Sequence, residues 1–243
     1  MSKALVVIPT YNEIENIERL IRNIFSLQRN FELLIVDDNS PDLTSKKVEE
    51  LQTEFPEKLH LLFRKEKTGL GTAYIAGFKW ALERKYEYIF EMDADFSHNP
   101  NDLIRLYNAC EKQEYDVAIG SRYVKGVNVV NWPMSRVLMS WLASKYVRFI
   151  TRMPIFDTTA GFVCYRRKVL ETINLDKIQF VGYAFQIEMK FKAYLSKFSI
   201  IEIPVIFTDR TRGESKMSGG IISEAVFGVL SMKFKSLFNR YEI

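Results

Sequence analysis

Five short apolar runs punctuate the first 120 residues: ALVVI (4–8), FELLIV (31–36), LHLLF (59–63), YIFEM (88–92) and DVAIG (116–120). Runs of this length without polar alternation are what strands covered on both faces look like. A longer segment separates each run from the next. Residues 13–28 place Ile14, Ile17, Leu20, Ile21 and Ile24 at helical spacing. Residues 41–55 follow Ser40-Pro41, a capping residue and then proline at the first helical position. Segments 71–85 and 100–113 complete the set. Five strands with helices between them predict an α/β fold with a mostly parallel, doubly wound sheet.

The rhythm changes after Gly120. VKGVNVVNWP leads into a long amphipathic segment, 134–152, then a short strand (161–165) and a helix after Arg167. A helix over 183–196, a strand SIIEIPVIF (199–207) and a C-terminal helix from about Gly220 follow. Nothing resembles a linker or a repeat, so residues 1–243 are read as one domain whose second half wraps onto the first. The net charge of +4 is too small to suggest a nucleic-acid binder but suits an anionic membrane face. Cys110, Cys164 and the two histidines lack the spacing of a zinc cage. The opening ALVVIPTYNE reads as a first strand, not a leader, and reduced thiols in the cytoplasm are expected. The longest charge-free run is the eleven residues from Thr68 to Phe78, whereas a membrane span needs about 20 apolar residues.

In an open parallel sheet, ligands bind outside the carboxyl ends of the strands. Polar residues collect there: PTYNE (9–13), DDNSPD (37–42), DADFSH (93–98) and GSRY (120–123). Each alone is ordinary loop polarity, but three acidic clusters and an arginine on one rim describe a site. Asp37-Asp38 end an apolar strand, where an acid would accept ribose or base hydrogen bonds. No G-x-G-x-x-G is present; GLGTAYIAG (69–77) has neither that spacing nor that of a Walker A loop, and reads as a helix start with small packing residues. Without a glycine cradle, a divalent metal would have to neutralise a diphosphate, and Asp93 and Asp95 are the candidate ligands. On their own the two aspartates read better as a solvated acidic rim. Arg122 closes the fifth strand, Arg136 and Ser140 share a helix face at i, i+4, and DRTRGESK (209–216) adds Arg210, Arg212 and Lys216. Segment 134–152 mixes Trp141, Leu142, Tyr146 and Phe149 with basic residues, which suits a core helix or an interfacial one with snorkelling cations.

VIPTYNE, VDDNSPD, MDADFSH, GSRY and DRTRGESK, in this order and spacing, resemble the family-two glycosyltransferases of GT-A fold. RTRGESK and W-x-x-S-R-x-x-x-S (132–140) narrow the resemblance to polyprenyl-phosphate (dolichol-phosphate) mannose synthases in their compact form without membrane helices. The resemblance spans about residues 4–220. It implies a nucleotide-sugar half (1–122), an acceptor half with a donor-closing loop (123–220) and a C-terminal amphipathic helix (221–243). Pro9, Tyr11 and Glu13 would hold guanine and ribose, with Val36 and Asp38 beside the base. Asp93 and Asp95 would bind Mg²⁺ or Mn²⁺ on the diphosphate, with the backbone of Ala94 near the ribose. Arg122, Arg136 and Ser140 would take the acceptor phosphate, and Arg210 and Lys216 would close over the donor. Some relatives carry a glutamine as a third metal ligand where this chain has Ser97, with His98 next to it as a structural or supporting residue.

The reaction implied is transfer of mannose from GDP-mannose to a polyprenyl phosphate with inversion. That acceptor is already an anion, so no dedicated base is needed. Catalysis would be electrostatic, carried by the metal, Arg122, Arg136, Arg210 and Lys216. The protein would sit peripherally on the cytoplasmic face of a membrane, by itself, with a small anchoring partner, or as a homo-oligomer. A hexosyltransferase using a UDP-sugar is the nearest alternative. Transfer to a hydroxyl would need a base such as Glu214 or Asp157, although Asp157 fits better as a brace for an acceptor-site arginine. A non-catalytic nucleotide-sugar-binding subunit is a third reading.

Overall fold

The computed structural model describes residues 3–182, 184–209 and 220–238, with side chains in the last segment from residue 226 onward. Seven strands form one sheet: β1 (Ala4–Thr10), β2 (Glu32–Asp37), β3 (Leu59–Phe63), β4 (Tyr88–Glu91), β5 (Val117–Ser121), β7 (Val163–Arg166) and β8 (Ile200–Pro204). Their order is β3-β2-β1-β4-β7-β5-β8. A two-stranded ribbon, β6 (Val129–Val130) with β9 (Phe207–Thr208), lies apart from it.

Side chains of successive strand residues point to opposite faces. Leu5 and Val7 of β1, with Leu34 and Val36 of β2, enter one core; Val6 and Ile8, with Leu33 and Ile35, enter the other. The first core is roofed by α3 (Leu70–Glu83), α5 (Met134–Thr151), α6 (Arg167–Thr172), α7 (Ala184–Leu195) and α8 (Gly220–Leu237). The second is roofed by α1 (Ile14–Phe25), α2 (Thr44–Gln52) and α4 (Asp102–Glu111). The sheet is thus covered on both sides, which is why its strands read as unbroken apolar runs.

One strand makes the sheet mostly, rather than wholly, parallel. β7 runs antiparallel between β4 and β5, pairing Phe90 with Cys164 and Ala118 with Cys164. Val163, Cys164 and Tyr165 are all buried, so this short segment belongs in the sheet interior. Two antiparallel steps restore direction. β5 and β8 therefore run the same way as β1, β2 and β4, and all their carboxyl ends meet on one rim.

Two boundaries also move. Ser40-Pro41 does not cap the second helix, which begins at Thr44 after Leu43 in the left-handed region (φ 70°). Instead the loop's side chains satisfy the start of α1: Asn12 N–H donates to Ser40 Oγ, Glu13 N–H to Thr44 Oγ1 and Ile14 N–H to Asp42 Oδ2, each at 3.0 Å. The Ile14 N–H is one that a helix cannot pair internally, and the other two lie in the residues just before it. The strand expected over 199–207 breaks after Pro204, and Phe207–Thr208 leave the sheet to pair with Val129–Val130.

α3 lies tightly on β1 because Gly77 faces it; a Cβ at Gly77 would overlap Val7 Cγ1. Gly77→Ala should therefore lower unfolding free energy by about 1–3 kcal/mol in urea melts, despite the better helix propensity of alanine.

Candidate active site

The shared rim gathers the acidic clusters, and the structure divides their labour. Asp37 is fully buried and spent on the scaffold. Its Oδ2 accepts from Thr10 Oγ1 (2.8 Å) and Ser40 Oγ (2.6 Å), tying the ends of β1 and β2 together. Asp38 is buried beside Arg64, with Nη1 3.3 Å from its Oδ1. Burial raises the Asp38 carboxyl above its usual range, and the Arg64 guanidinium opposes that. Nearby, Lys67 Nζ sits 4.3 Å over the Tyr11 ring. Pro9 and Val36 are cross-strand partners, and Glu13 Oε2 accepts from Asn16 Nδ2 at 3.0 Å. Pro9, Tyr11, Glu13, Val36 and Asp38 thus lie on the β1 and β2 side of the rim.

Beyond β4, Asp93 and Asp95 both line a cavity of about 420 Å³. Asp95 is nearly buried, and its Oδ1 accepts the Ser97 N–H at 3.0 Å. Asp93 Oδ1 accepts from the Tyr74 hydroxyl at 3.3 Å, and His98 Nε2 lies 3.6 Å from Asp93 Oδ2. Ala94 between them is buried. Ser97 does not line the cavity. Its carbonyl accepts from Thr208 N–H (3.1 Å), which anchors the loop to β9. Among the described residues no group of three carboxylate, imidazole or thiol ligands forms a closed metal cage. Two hard carboxylates open to a cavity instead fit a magnesium- or manganese-type ion that completes its shell with substrate phosphate and water.

The other end of the cavity is basic and then apolar. Arg122 Nε and Nη2 form a fork on Asp157 (2.7 and 2.6 Å), the Arg122 N–H adds a third bond at 2.9 Å, and Nη2 also reaches Thr159 Oγ1 (2.8 Å). Asp157 is fully buried. Burial disfavours its charge, yet the Arg122 guanidinium and its hydrogen bonds hold the carboxyl below the usual range. Arg136 pairs with Asp209 at 2.7 Å and packs 4.0 Å over the Trp132 ring. Arg122, Arg136 and Ser140 line the cavity, and from them an apolar wall continues along Met139, Leu142, Ala143 and Tyr146 of α5 to Val226 of α8. Tyr146 donates to the Val226 carbonyl (3.0 Å), joining the two helices. Arg210 and Lys216, expected to close over the donor, and Arg212 and Glu214 beside them lie outside the described residues.

One group escaped the sequence reading. Gln186 lines the cavity floor, and its Nε2 donates to Glu91, which is fully buried within β4. Lys190, one helical turn later, is equally buried and donates to the Ala160 carbonyl (2.6 Å) and to Gln186. Burial raises the Glu91 carboxyl and lowers the Lys190 ammonium, and each charge opposes the other's shift. In the sequence these are ordinary charges of an amphipathic helix and a strand end; nothing in FQIEMKFK marks them as buried.

The family 2 glycosyl transferase model matches residues 5–173. The chain belongs to that family. A polyprenol monophosphomannose synthase of Mycolicibacterium smegmatis is 44% identical over 238 residues, 98% of this chain and 89% of that protein. Among solved structures, glucosyl-3-phosphoglycerate synthase from Mycobacterium tuberculosis, in complex with Mn²⁺, UDP and glucosyl-3-phosphoglycerate, superposes with a TM-score of 0.68 at 14% identity. That match covers 99% of this chain and 80% of the other. A mannosyltransferase from Pyrobaculum calidifontis, in complex with GDP-Man and Mn²⁺, superposes with a TM-score of 0.62 at 20% identity, over 98% and 64% of the two chains. These likenesses give this glycosyltransferase the GT-A architecture, a mixed and mostly parallel sheet.

In this glycosyltransferase the Arg122–Asp157 fork is the strongest test of the basic end. Asp157→Asn removes the buried partner of a guanidinium and should cost about 3–5 kcal/mol of stability in denaturant melts.

Proposed function

We propose that this glycosyltransferase transfers mannose from GDP-mannose to the phosphate of a polyprenyl (dolichyl-type) monophosphate, giving polyprenyl-phosphate mannose and GDP with inversion. One observation carries the reading. A single cavity joins the Asp93/Asp95 pair to Arg122, Arg136 and Ser140 and then to an apolar wall between α5 and α8. That sequence of linings suits a donor diphosphate at one end and, at the other, an acceptor with an anionic head and a hydrocarbon tail. The relative that is 44% identical, named for polyprenol monophosphomannose synthesis, supports the same choice of sugar and acceptor.

In the step itself, an oxygen of the acceptor phosphate attacks the anomeric carbon from the face opposite the diphosphate. The bond from that carbon to the diphosphate oxygen breaks, and GDP leaves with the electron pair. The nucleophile arrives deprotonated, so no proton has to move and no base is required. Arg122 and Arg136 offset the repulsion between two anionic reactants and align the attacking oxygen, with Ser140 as a further phosphate donor. Trp132 and Asp157 hold these two cations in place. Asp93 and Asp95 are the groups that would hold Mg²⁺ or Mn²⁺; when bound, the ion supplies charge stabilisation for the leaving diphosphate. Pro9, Tyr11, Glu13, Val36, Asp38 and the Ala94 backbone are assigned to the nucleoside, and Arg210 and Lys216 to closure over the donor.

The tail needs a route to lipid. α5 exposes Met134, Leu138, Met139, Leu142 and Phe149, and α8 exposes Phe227, Leu230, Phe234 and Leu237. Lys145 and Arg148 stand among the α5 residues. Contiguous apolar surface with basic residues within it is the chemistry of a helix pair seated on an anionic bilayer. Among the described residues, no helix is long and apolar enough to cross one.

Incubation with radiolabelled sugar nucleotides and a short polyprenyl phosphate should yield lipid-linked sugar from GDP-mannose only, and only with a divalent ion. Product from a UDP-sugar would reassign the donor. Asp95→Ala should lower turnover by at least about 100-fold. Flotation should carry the protein with anionic vesicles, and Leu138→Glu with Phe234→Glu should abolish it. No flotation of the unmodified chain would transfer the anchoring role to a partner.

A further inference from the structure

Asp93 is the more solvent-exposed of the paired carboxylates, with 37% of its side chain accessible. An exposed carboxylate samples several rotamers, and each rotamer that points away from a bound cation weakens its binding. Two side chains stand against this one, one at each oxygen. From α3, the Tyr74 hydroxyl donates to Asp93 Oδ1 at 3.3 Å. Tyr74 is itself fixed: it is fully buried and stacks on Phe185 at 5.9 Å with the rings 3° from parallel. Gly71 makes room for that stack, since a Cβ there would come within 2.8 Å of the Phe185 ring.

At the second oxygen, His98 Nε2 lies 3.6 Å from Asp93 Oδ2. The imidazole is only 4% exposed, lies over Phe162 at 4.8 Å and meets Phe207 edge-on at 5.1 Å. Neither ring nitrogen has a hydrogen-bond partner among the described residues, although the ring is buried and lines the cavity. A buried polar atom in that condition calls for a partner in the working state. Asp93 Oδ2 is a few tenths of an ångström beyond hydrogen-bond range.

We propose that Tyr74 and His98 are positioning residues that hold the Asp93 carboxylate, one on each oxygen, in the orientation a divalent cation requires. This rests on the reading of Asp93 and Asp95 as cation ligands. Groups behind a ligand commonly set metal affinity within 10- to 100-fold. Here both come from aromatic beds that belong to the fold, so the two groups stand beside the carboxylate before any ligand arrives. Tyr74 lies on a helix that the sequence reading assigned to packing. His98 thereby gains a function beyond filling space under the loop.

The test titrates Mn²⁺ into the protein in the presence of GDP and follows the free-ion signal by electron paramagnetic resonance. Tyr74→Phe keeps the ring and its stack and removes only the hydroxyl; His98→Leu removes the nitrogens, and His98→Gln returns an N–H donor. Tyr74→Phe and His98→Leu should each weaken Mn²⁺ binding roughly 10-fold or more. Turnover should recover at correspondingly higher Mn²⁺ with the KM for polyprenyl phosphate unchanged, and His98→Gln should bind more tightly than His98→Leu. Unchanged Mn²⁺ affinity in Tyr74→Phe and His98→Leu, beside a clear loss in Asp93→Asn, would overturn the positioning role. If the unmodified protein bound no Mn²⁺, or Asp93→Asn bound it equally well, the cation reading itself would fall. Tyr74→Phe alone decides the matter if His98→Leu does not fold.

Discussion

A sheet covered on both faces can carry almost no charge along its strands, because an unpaired charge in that interior costs far more than a fold can spare. Charged and hydrogen-bonding residues are therefore driven to the strand ends, and here the ends of β1, β2, β4, β5 and β8 share one rim. Everything that acts in this molecule follows from that exile. Asp37 is retained at the margin because Thr10 and Ser40 satisfy it, while Asp93 and Asp95, beyond the end of β4, line the cavity.

The exceptions to the rule lie beneath the cavity. Glu91 and Lys190 are fully buried, and each is met by Gln186, whose amide side chain also forms part of the cavity floor. Lys190 further holds the Ala160 carbonyl, in the same loop that supplies Asp157 and Thr159 to Arg122. A run of polar contacts thus connects the floor below the carboxylates to the brace behind the basic end. Two regions of opposite charge thus share one cavity above a connected set of buried polar contacts.

This separation matches the electrostatic problem of joining two anions. A transferase whose nucleophile is already charged gains nothing from a general base and much from fixed cations of known orientation. Arg122 is held by a fork and Arg136 by Asp209 and the Trp132 face, so both guanidiniums are oriented by contacts of the protein itself. α5 serves both ends of this arrangement. Its first turns carry Arg136 and Ser140 into the cavity, and its outward residues Leu138 and Phe149 remain exposed.

The apolar runs and the polar clusters that end them determined the five principal strands, the doubly wound class and the rim, because burial on both faces writes itself directly into residue type. The rim positions of Asp93, Asp95 and Arg122 were legible for the same reason, since each closely follows the end of an apolar run, whereas Arg136 and Ser140 were readable only as a pair on one helix face. Tertiary structure alone decided where β7 inserts, since four residues of VCYR carry no mark of their pairing partners. It alone turned Ser40 from the expected cap of α2 toward the chain entering α1, a choice made by loop proximity across 28 residues of chain. It alone revealed Tyr74, Gln186 and Lys190 around the site, because a helix position says which way a side chain points only once its neighbours are in place.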